Sequence, residues 1–507
     1  MIKGIGSWLV NHKDKNPNKL VVISNEKRFT YQEFNSRVNR LANALLDHGV
    51  RNGDRINTLL FNTNEQLETM FACAKIGAIF VPINYRLSAK EVVYIIQDSS
   101  SSHLVYDEKL ASLVSQVRTN KLNLREYIFV GKESSGDVNY EDYIYEASDG
   151  EPDFSIDLDD VHMMMYTSGT TGRPKGAMLT HGNTLWNAIN ASHILPFVED
   201  DSTLTVAPLF HIGGMSTFTT PLIYKGGTII LDEKFDPQRT LELIEQEKIT
   251  TLFLVPAMWL ALTQVPNFND YDLSSLRLNC CGGASCPITV IEFFQERNIP
   301  FFEGFGMTET APVVAVLDSK NSRRKNGSVG KPPMHTEVRV VDPSDRDVPV
   351  GETGELIIKG PNILKGYWNN PEATKKSIKD GWFYSGDLAR FDDEGFLYIV
   401  DRKKDMLITG GENVYPVEVE QVLFKHPNIK EVAVVGVPDE KWGESVKAYI
   451  VLKDKTKSIS IEDIRQFCEE KLARFKHPKF YEILEELPRN ATGKVLKTIL
   501  RSEKKLV

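Results

Sequence analysis

Over the first three hundred residues, short apolar runs alternate with amphipathic stretches, and few architectures accept that order. "YQEFNSRVNRLANALLDHG", residues 31–49, puts Phe34, Val38, Leu41, Ala42 and Leu45 on one helical face and stops at Gly49. "RINTLLF" (55–61) follows as a strand, and "EQLETMFACAKIGAIFVPI" (65–83) as a helix leading into a strand. The rhythm resumes between 182 and 300 with "STLTVAP", "GGTIIL", "ITTLFLVP" and "LRLNCCGG", separated by helical stretches such as "DPQRTLELIEQEK". Strands joined through helices make parallel sheets, so the fold class is α/β. Several of the runs end in Gly or Pro, at the strand ends where such sheets usually bind ligands.

After about residue 325 the texture changes to short alternating strands, "EVRVVD", "GELIIKG" and "GFLYIVD", which predict a small β-rich subdomain over about 325–400. Mixed α and β patterns then return. A chain of 507 residues is too long for one core. The charged run Asp401, Arg402, Lys403, Lys404, Asp405 marks the boundary, giving a large N-terminal domain over 1–403 and a small α+β domain over 404–507.

Composition removes several classes. The net charge of −9 argues against nucleic acid as a main partner. "MIKGIGSWLVNHKDKNP" lacks the basic start and unbroken apolar stretch of a secretion signal. The longest apolar run, "TLFLVPAMWLAL" (251–262), is too short to span a membrane and contains Pro256. A cytoplasmic protein is expected, with peripheral membrane contact and dimerisation left open. Five sparse cysteines fit that setting, and Cys280, Cys281 and Cys286 do not have zinc spacing, so buried thiols are expected.

"MMYTSGTTGRPKGAMLTH" (164–181) carries the first chemistry. Glycines let successive backbone N–H groups face one concavity, which suits an anion, and phosphate is the usual guest. The Walker spacing is not met, and Pro174 argues against a helix running straight through. The reading is strand, loop, strand, with His162–Tyr166 leading in, Ala177–Thr180 leading out, and Ser168, Thr170, Thr171 and Lys175 as donors.

This loop, with "EGFGMTET", "YSGDLA", "DRKKDMLITGGENVYPVEVE" and "RNATGKVLK" in order over nearly the whole chain, resembles the adenylate-forming superfamily, in its acyl-CoA synthetase branch. The resemblance implies that a carboxylic acid and ATP give an acyl-adenylate and pyrophosphate, and that the acyl group then passes to coenzyme A. It assigns the ATP phosphates to Thr167, Ser168, Gly169, Thr170, Thr171, Gly172 and Lys175. Gly283, Ala284 and Ser285 would lie near the base, with Glu303, Gly304, Phe305, Gly306, Met307 and Thr308. Phe305 stands where the family usually has a tyrosine against adenine. Asp387 and Arg402 would hold the ribose, and Glu309 the magnesium ion, with Thr308 beside it. Lys494 is the implied catalyst of adenylation and Lys404 the hinge. Gly410, Gly411, Trp442, Phe475 and Lys479 match positions near coenzyme A, whereas His477 stands where one subgroup has arginine.

For the acid, His211 in "APLFHIGG" resembles the pocket mouth, with Met215, Trp259, Gly282, Gly283, Gly304, Met307 and Val313 as wall. The wall is nearly all apolar and offers no basic partner for a second carboxylate, so a hydrophobic monocarboxylic acid is expected, a medium- or long-chain fatty acid first. Aromatic acids of the cinnamate, benzoate or succinylbenzoate type are the alternative. A peptide-synthetase domain, a luciferase-like oxygenase and a non-catalytic nucleotide sensor are the rivals; intact Lys494, Glu309 and Asp387 oppose the last.

Overall fold

The computed structural model describes residues 4–132, 136–167, 173–284, 286–410, 412–454, 456, 458–469, 471–489 and 495–502. The chain divides into two compact units, Met1–Glu337 with Ile358–Phe383, and Val338–Ile357 with Tyr384–Val507.

The first unit holds the α/β pattern in two eight-stranded sheets. One runs, in spatial order, Val313–Leu317, Phe301–Gly306, Leu278–Gly282, Thr251–Leu254, Ser202–Thr205, Thr228–Leu231, Leu20–Ser24 and Lys27–Thr30. Its six inner strands are parallel and its two edges antiparallel. The other runs Gly366–Tyr367, Lys175–Thr180, Val161–Thr167, Ile79–Pro82, Arg55–Leu59, His103–Asp107, Glu126–Val130 and Val138–Asn139. Parallel strands need crossover helices, and the sequence supplies them with local stop and start signals. Tyr31–Asp47 begins at Thr30, whose hydroxyl accepts from Glu33 N while the Glu33 carboxylate accepts from Thr30 N, a reciprocal cap. The core of the first sheet centres on Trp259, whose ring meets Phe294 and Phe301 edge-on at 4.8 and 5.0 Å.

In the second unit the strands Trp382–Phe391 and Leu397–Arg402 pair antiparallel. Ile429–Asp439 and Gly443–Leu452 form a long hairpin, flanked in parallel by Phe480–Ile483. Helices Pro416–Phe424 and Ile461–Cys468 add Val419, Leu423, Ile464 and Cys468 to its core. Both sides of the sequence boundary at 403/404 fall inside this unit, where Lys403 pairs with Glu355 at 2.8 Å and Asp401 accepts from Val417 N at 3.1 Å. All five cysteines are buried free thiols. Among the described residues no helix is long and apolar enough to cross a membrane.

Two histidines are buried in the first unit. His162, on Val161–Thr167, stacks near His181 at 4.9 Å between centroids; its Nε2 lies 2.7 Å from Thr184 Oγ1, while His181 Nδ1 accepts from Ile5 N. Burial pushes His181 down to about 4 and holds His162 well below its ordinary value, with the His181 ring adding to the effect. Both rings are therefore neutral in the folded chain while the unfolded chain protonates them near pH 6.5. The stability they leave intact above pH 6.5 is lost as pH falls below it, towards 4 for His181 at up to about 1.4 kcal/mol per pH unit, and in the same direction for His162. Thermal unfolding of His181→Asn should depend less steeply on pH between 6.5 and 4.5 than that of the parent; equal slopes would refute this account.

Candidate active site

The glycine-rich segment is the tip of a β-hairpin. Val161–Thr167 and Lys175–Thr180 pair antiparallel, with Thr167 opposite Lys175, as the strand, loop, strand reading requires. Ser168, Gly169, Thr170, Thr171 and Gly172 lie outside the described residues. The stems are held from two sides. Tyr94 donates to Pro174 O at 3.0 Å, and Tyr166 donates to Asp98 at 2.6 Å. From the other side Gly366–Tyr367 pairs with Met178 and Ala177, and Trp368 N donates to Gly176 O.

That short strand brings in a residue the sequence reading missed. The Tyr367 hydroxyl donates to Glu309 Oε1 at 3.0 Å, and the Lys175 ammonium stands 5.3 Å from the centre of the Tyr367 ring. The lysine assigned to phosphate and the carboxylate assigned to magnesium thus meet around one phenol. Burial, with the Glu309 charge beside it, raises the Tyr367 pKa, so the hydroxyl stays protonated and donates. Among the described residues no three His, Cys, Asp or Glu side chains converge as a metal cage. A single hard carboxylate fits Mg²⁺ all the same, because that ion commonly takes one or two protein oxygens and completes its shell with water and substrate phosphate.

Beside Glu309 the strand Phe301–Gly306 ends in the turn Thr308–Thr310. Gly306 is required there: a Cβ would lie 1.9 Å from Pro312 O. Thr308 is buried, and Thr310 Oγ1 donates to Pro312 O at 2.5 Å. Asn362 ties this turn down through Thr310 O and Val313 O, and Leu364 N donates to Glu309 O. Phe305 is half-buried opposite Ala315, and Met307 is likewise half-buried. Glu303 is buried with Oε1 lacking a hydrogen-bond partner, and burial raises its pKa to about 8. Gly304 pairs with Gly282 on the next strand; Gly283 and Ala284 follow, exposed, and Ser285 lies outside the described residues.

His211 caps the short turn Ile212–Gly214, its Nδ1 accepting from Gly213 N at 3.2 Å, with the ring exposed. Met215 is fully buried and Val313 nearly so. Trp259, assigned to the acyl wall from the sequence, is spent on packing: its indole N–H donates to Cys280 O at 3.2 Å and its ring is fully enclosed. The aromatic ring between Gly213 and Gly282 is Phe253. A Cβ on Gly282 would come 3.0 Å from Phe253 Cε2 and one on Gly213 3.3 Å from Cε1. Phe218 stands behind it, 6.1 Å between centroids.

In the second unit Asp387 and Arg402 face each other across paired strands, with Arg402 Nε 2.6 Å from Asp387 Oδ1. Asp387 is buried and takes a firm position, its backbone N–H donating to Ser385 Oγ. Lys404 sits in the turn that follows, between Arg402 and Leu407. Gly410 N donates to Trp442 O, and Lys479 lies 5.1 Å from the half-exposed Trp442 ring while reaching Asp439 at 3.2 Å and Ser445 at 3.0 Å. Gly410, Trp442 and Lys479 therefore form one surface group; Phe475 is exposed on the turn Arg474–Lys476. The His477 ring is bonded to Leu472 O. Gly411 and Lys494 lie outside the described residues.

Residues 9–368 match the family described as AMP-binding enzyme, and residues 418–494 the AMP-binding enzyme C-terminal domain. The chain is 43% identical over 499 residues to a feruloyl-CoA synthase of an Amycolatopsis species, covering 98% of this chain and 99% of that protein. It is 37% identical over 507 residues to the long-chain-fatty-acid–CoA ligase FadD13 of Mycobacterium tuberculosis, covering 99% of each. Among solved structures, the o-succinylbenzoate coenzyme A synthetase of Bacillus subtilis in complex with ATP and magnesium superimposes with a TM-score of 0.87 at 32% identity, covering 97% of this chain and 98% of that one.

Proposed function

The chain belongs to the AMP-binding enzyme family as an AMP-forming acid–CoA ligase, and we propose that its acid is a compact aromatic monocarboxylate. The reaction uses ATP, Mg²⁺ and coenzyme A. A carboxylate oxygen attacks the α-phosphorus of ATP and pyrophosphate leaves; the coenzyme A thiol then attacks the acyl carbon, AMP leaves, and the thiol proton goes to solvent. Two anions must meet in the first step, and the residues around Tyr367 suit that problem. Lys175 supplies positive charge for the triphosphate, and Glu309 would hold the magnesium ion, which neutralises phosphate charge when bound. Asp387, oriented against Arg402, suits ribose hydroxyls because a carboxylate has two acceptor oxygens. The need for ATP and coenzyme A together supports a cytoplasmic setting.

The observation that carries the aromatic reading is Phe253. The Phe253 ring, with Phe218 beside it, packs directly over Gly213 and Gly282 and presents an aromatic surface at the strand ends assigned to the acid. A flat ring stacks or meets it edge-on, whereas a long alkyl chain needs a continuing tunnel. The likeness to a feruloyl-CoA synthase supports the same choice, and the likeness to a fatty-acid ligase keeps alkyl acids as the comparison arm. Pyrophosphate release and thioester formation should be measured with cinnamate, ferulate, phenylacetate and indoleacetate against fatty acids of eight to sixteen carbons. The best aromatic acid should exceed the best fatty acid in kcat/KM by roughly tenfold or more, the scale of a few missing methylene contacts. The reverse order would reject the aromatic assignment.

A further inference from the structure

We infer that Tyr367 is a positioning residue that keeps the phosphate lysine and the metal carboxylate apart and aimed, an inference that rests on the ligase reading above. Its hydroxyl donates to Glu309 Oε1 at 3.0 Å while the Lys175 ammonium stands 5.3 Å from its ring centre. One side chain therefore satisfies a carboxylate with its O–H and a cation with its π face. Among the described residues no ion pair joins Lys175 and Glu309. Two such groups around one small space would attract each other directly if nothing stood between them, and a closed pair would occupy the charges that a triphosphate and a divalent cation need. The phenol prevents the closure without cancelling either charge. A neutral donor on one carboxylate oxygen fixes the orientation of the group and leaves it anionic.

The backbone shows why this tyrosine can act as a spacer. Tyr367 N donates to Thr374 Oγ1 at 2.9 Å, its strand pairs with Ala177 on the hairpin, and Trp368 anchors the next position through Gly176 O and Asp98 O. Tyr367 is 8% exposed as a residue, so its side chain has little freedom to swing aside. Glu309 is fixed from its own side by Leu364 N on its backbone carbonyl. Residues 364–368 thus join the lysine-bearing hairpin to the carboxylate-bearing turn, and Tyr367 is the point where the side chains meet.

The test uses the full chain with two substitutions. Tyr367→Phe keeps the ring and loses the O–H; Tyr367→Leu loses both. Mn²⁺ binding in the presence of ATP, followed by electron paramagnetic resonance, gives a readout separate from turnover, and Mg²⁺ and ATP titrations of pyrophosphate release give the second. Tyr367→Phe should need about tenfold more cation, the usual scale for losing a group that orients a metal ligand, with KM for ATP at saturating Mg²⁺ within about twofold. High Mg²⁺ should restore its rate. Tyr367→Leu should also weaken ATP, and added cation should not restore it. Parent-like Mn²⁺ affinity in Tyr367→Phe, or an equal fall in kcat at every Mg²⁺ concentration, overturns the spacer role. A parent chain that releases no pyrophosphate with any acid rejects the ligase reading instead, and the Mn²⁺ measurement still decides the part played by Tyr367.

Discussion

Lys494→Ala should lose adenylate formation by roughly 10³-fold while still converting supplied acyl-adenylate to thioester at close to the parent rate. The reason is electrostatic. As the acid attacks ATP, negative charge accumulates between the carboxylate and the α-phosphate, and a positioned cation that strengthens its contact as this happens lowers the barrier; one such donor commonly contributes 10²- to 10³-fold. If Lys175 and Glu309 serve the leaving pyrophosphate as proposed, neither replaces an ammonium at the α-phosphorus. In the second step the phosphate is already the leaving group, and the incoming thiol is neutral or carries its own charge, so the same lysine has less to do. Lys494→Arg, which preserves charge but changes shape, should recover part of the first step only. Pyrophosphate release measures adenylation, and chromatography of the thioester made from synthetic adenylate measures transfer. Equal losses in both would remove Lys494 from its assigned role.

The segments that make up the candidate site could be named along the chain, and what escaped did so for definite reasons. The hairpin was legible because glycines, hydroxyls and a lysine between two apolar strands mark a loop, and its strand, loop, strand reading matches the pairing of Val161–Thr167 with Lys175–Thr180. The motif bearing Glu309 was equally visible, and its assignment to a cation came with the family resemblance. Tyr367 was invisible: it is 58 residues from Glu309, and in "GYW" it looks like packing. Only the pairing of Gly366–Tyr367 with the hairpin gives it two charged neighbours. Phe253 was hidden differently. In "TLFLVP" every side chain is apolar, and alternation alone does not say which face meets the glycines. Trp259 shows the opposite error, an aromatic near the site by sequence whose ring the core needed more, between Phe294 and Phe301. The β-rich texture after 325 was legible from its short alternating runs. Contacts such as Asp401 with Val417 N, and Asp405 with Arg501 at 2.8 Å, were not, because they join segments 16 and 96 residues apart.

Lys404→Pro should separate the two half-reactions in the opposite sense to Lys494→Ala. Adenylation should stay within about threefold of the parent, while thioester formation falls by roughly tenfold or more. If the ligase uses one arrangement of its C-terminal segment for adenylation and another for thiol attack, some residue must absorb the backbone rotation, and Lys404 is the position the resemblance assigns. The local structure is compatible with that assignment. Lys404 lies in a turn whose flanks are fixed, with Asp405 N donating to Arg402 O at 2.8 Å, Lys403 paired to Glu355, and Arg501 held on Asp405. Such a rotation would fall on Lys404, an exposed residue of this turn. Proline locks φ near −65° and also restricts Lys403 before it, so it selects one arrangement and slows passage to the other. Lys404→Ala leaves both angles free and should behave like the parent, which separates a hinge from a charge contact. Single-turnover formation of adenylate, followed by addition of coenzyme A, resolves the steps. Unchanged thioester formation in the proline variant, or an alanine variant as slow as the proline one, would reject a hinge at this residue.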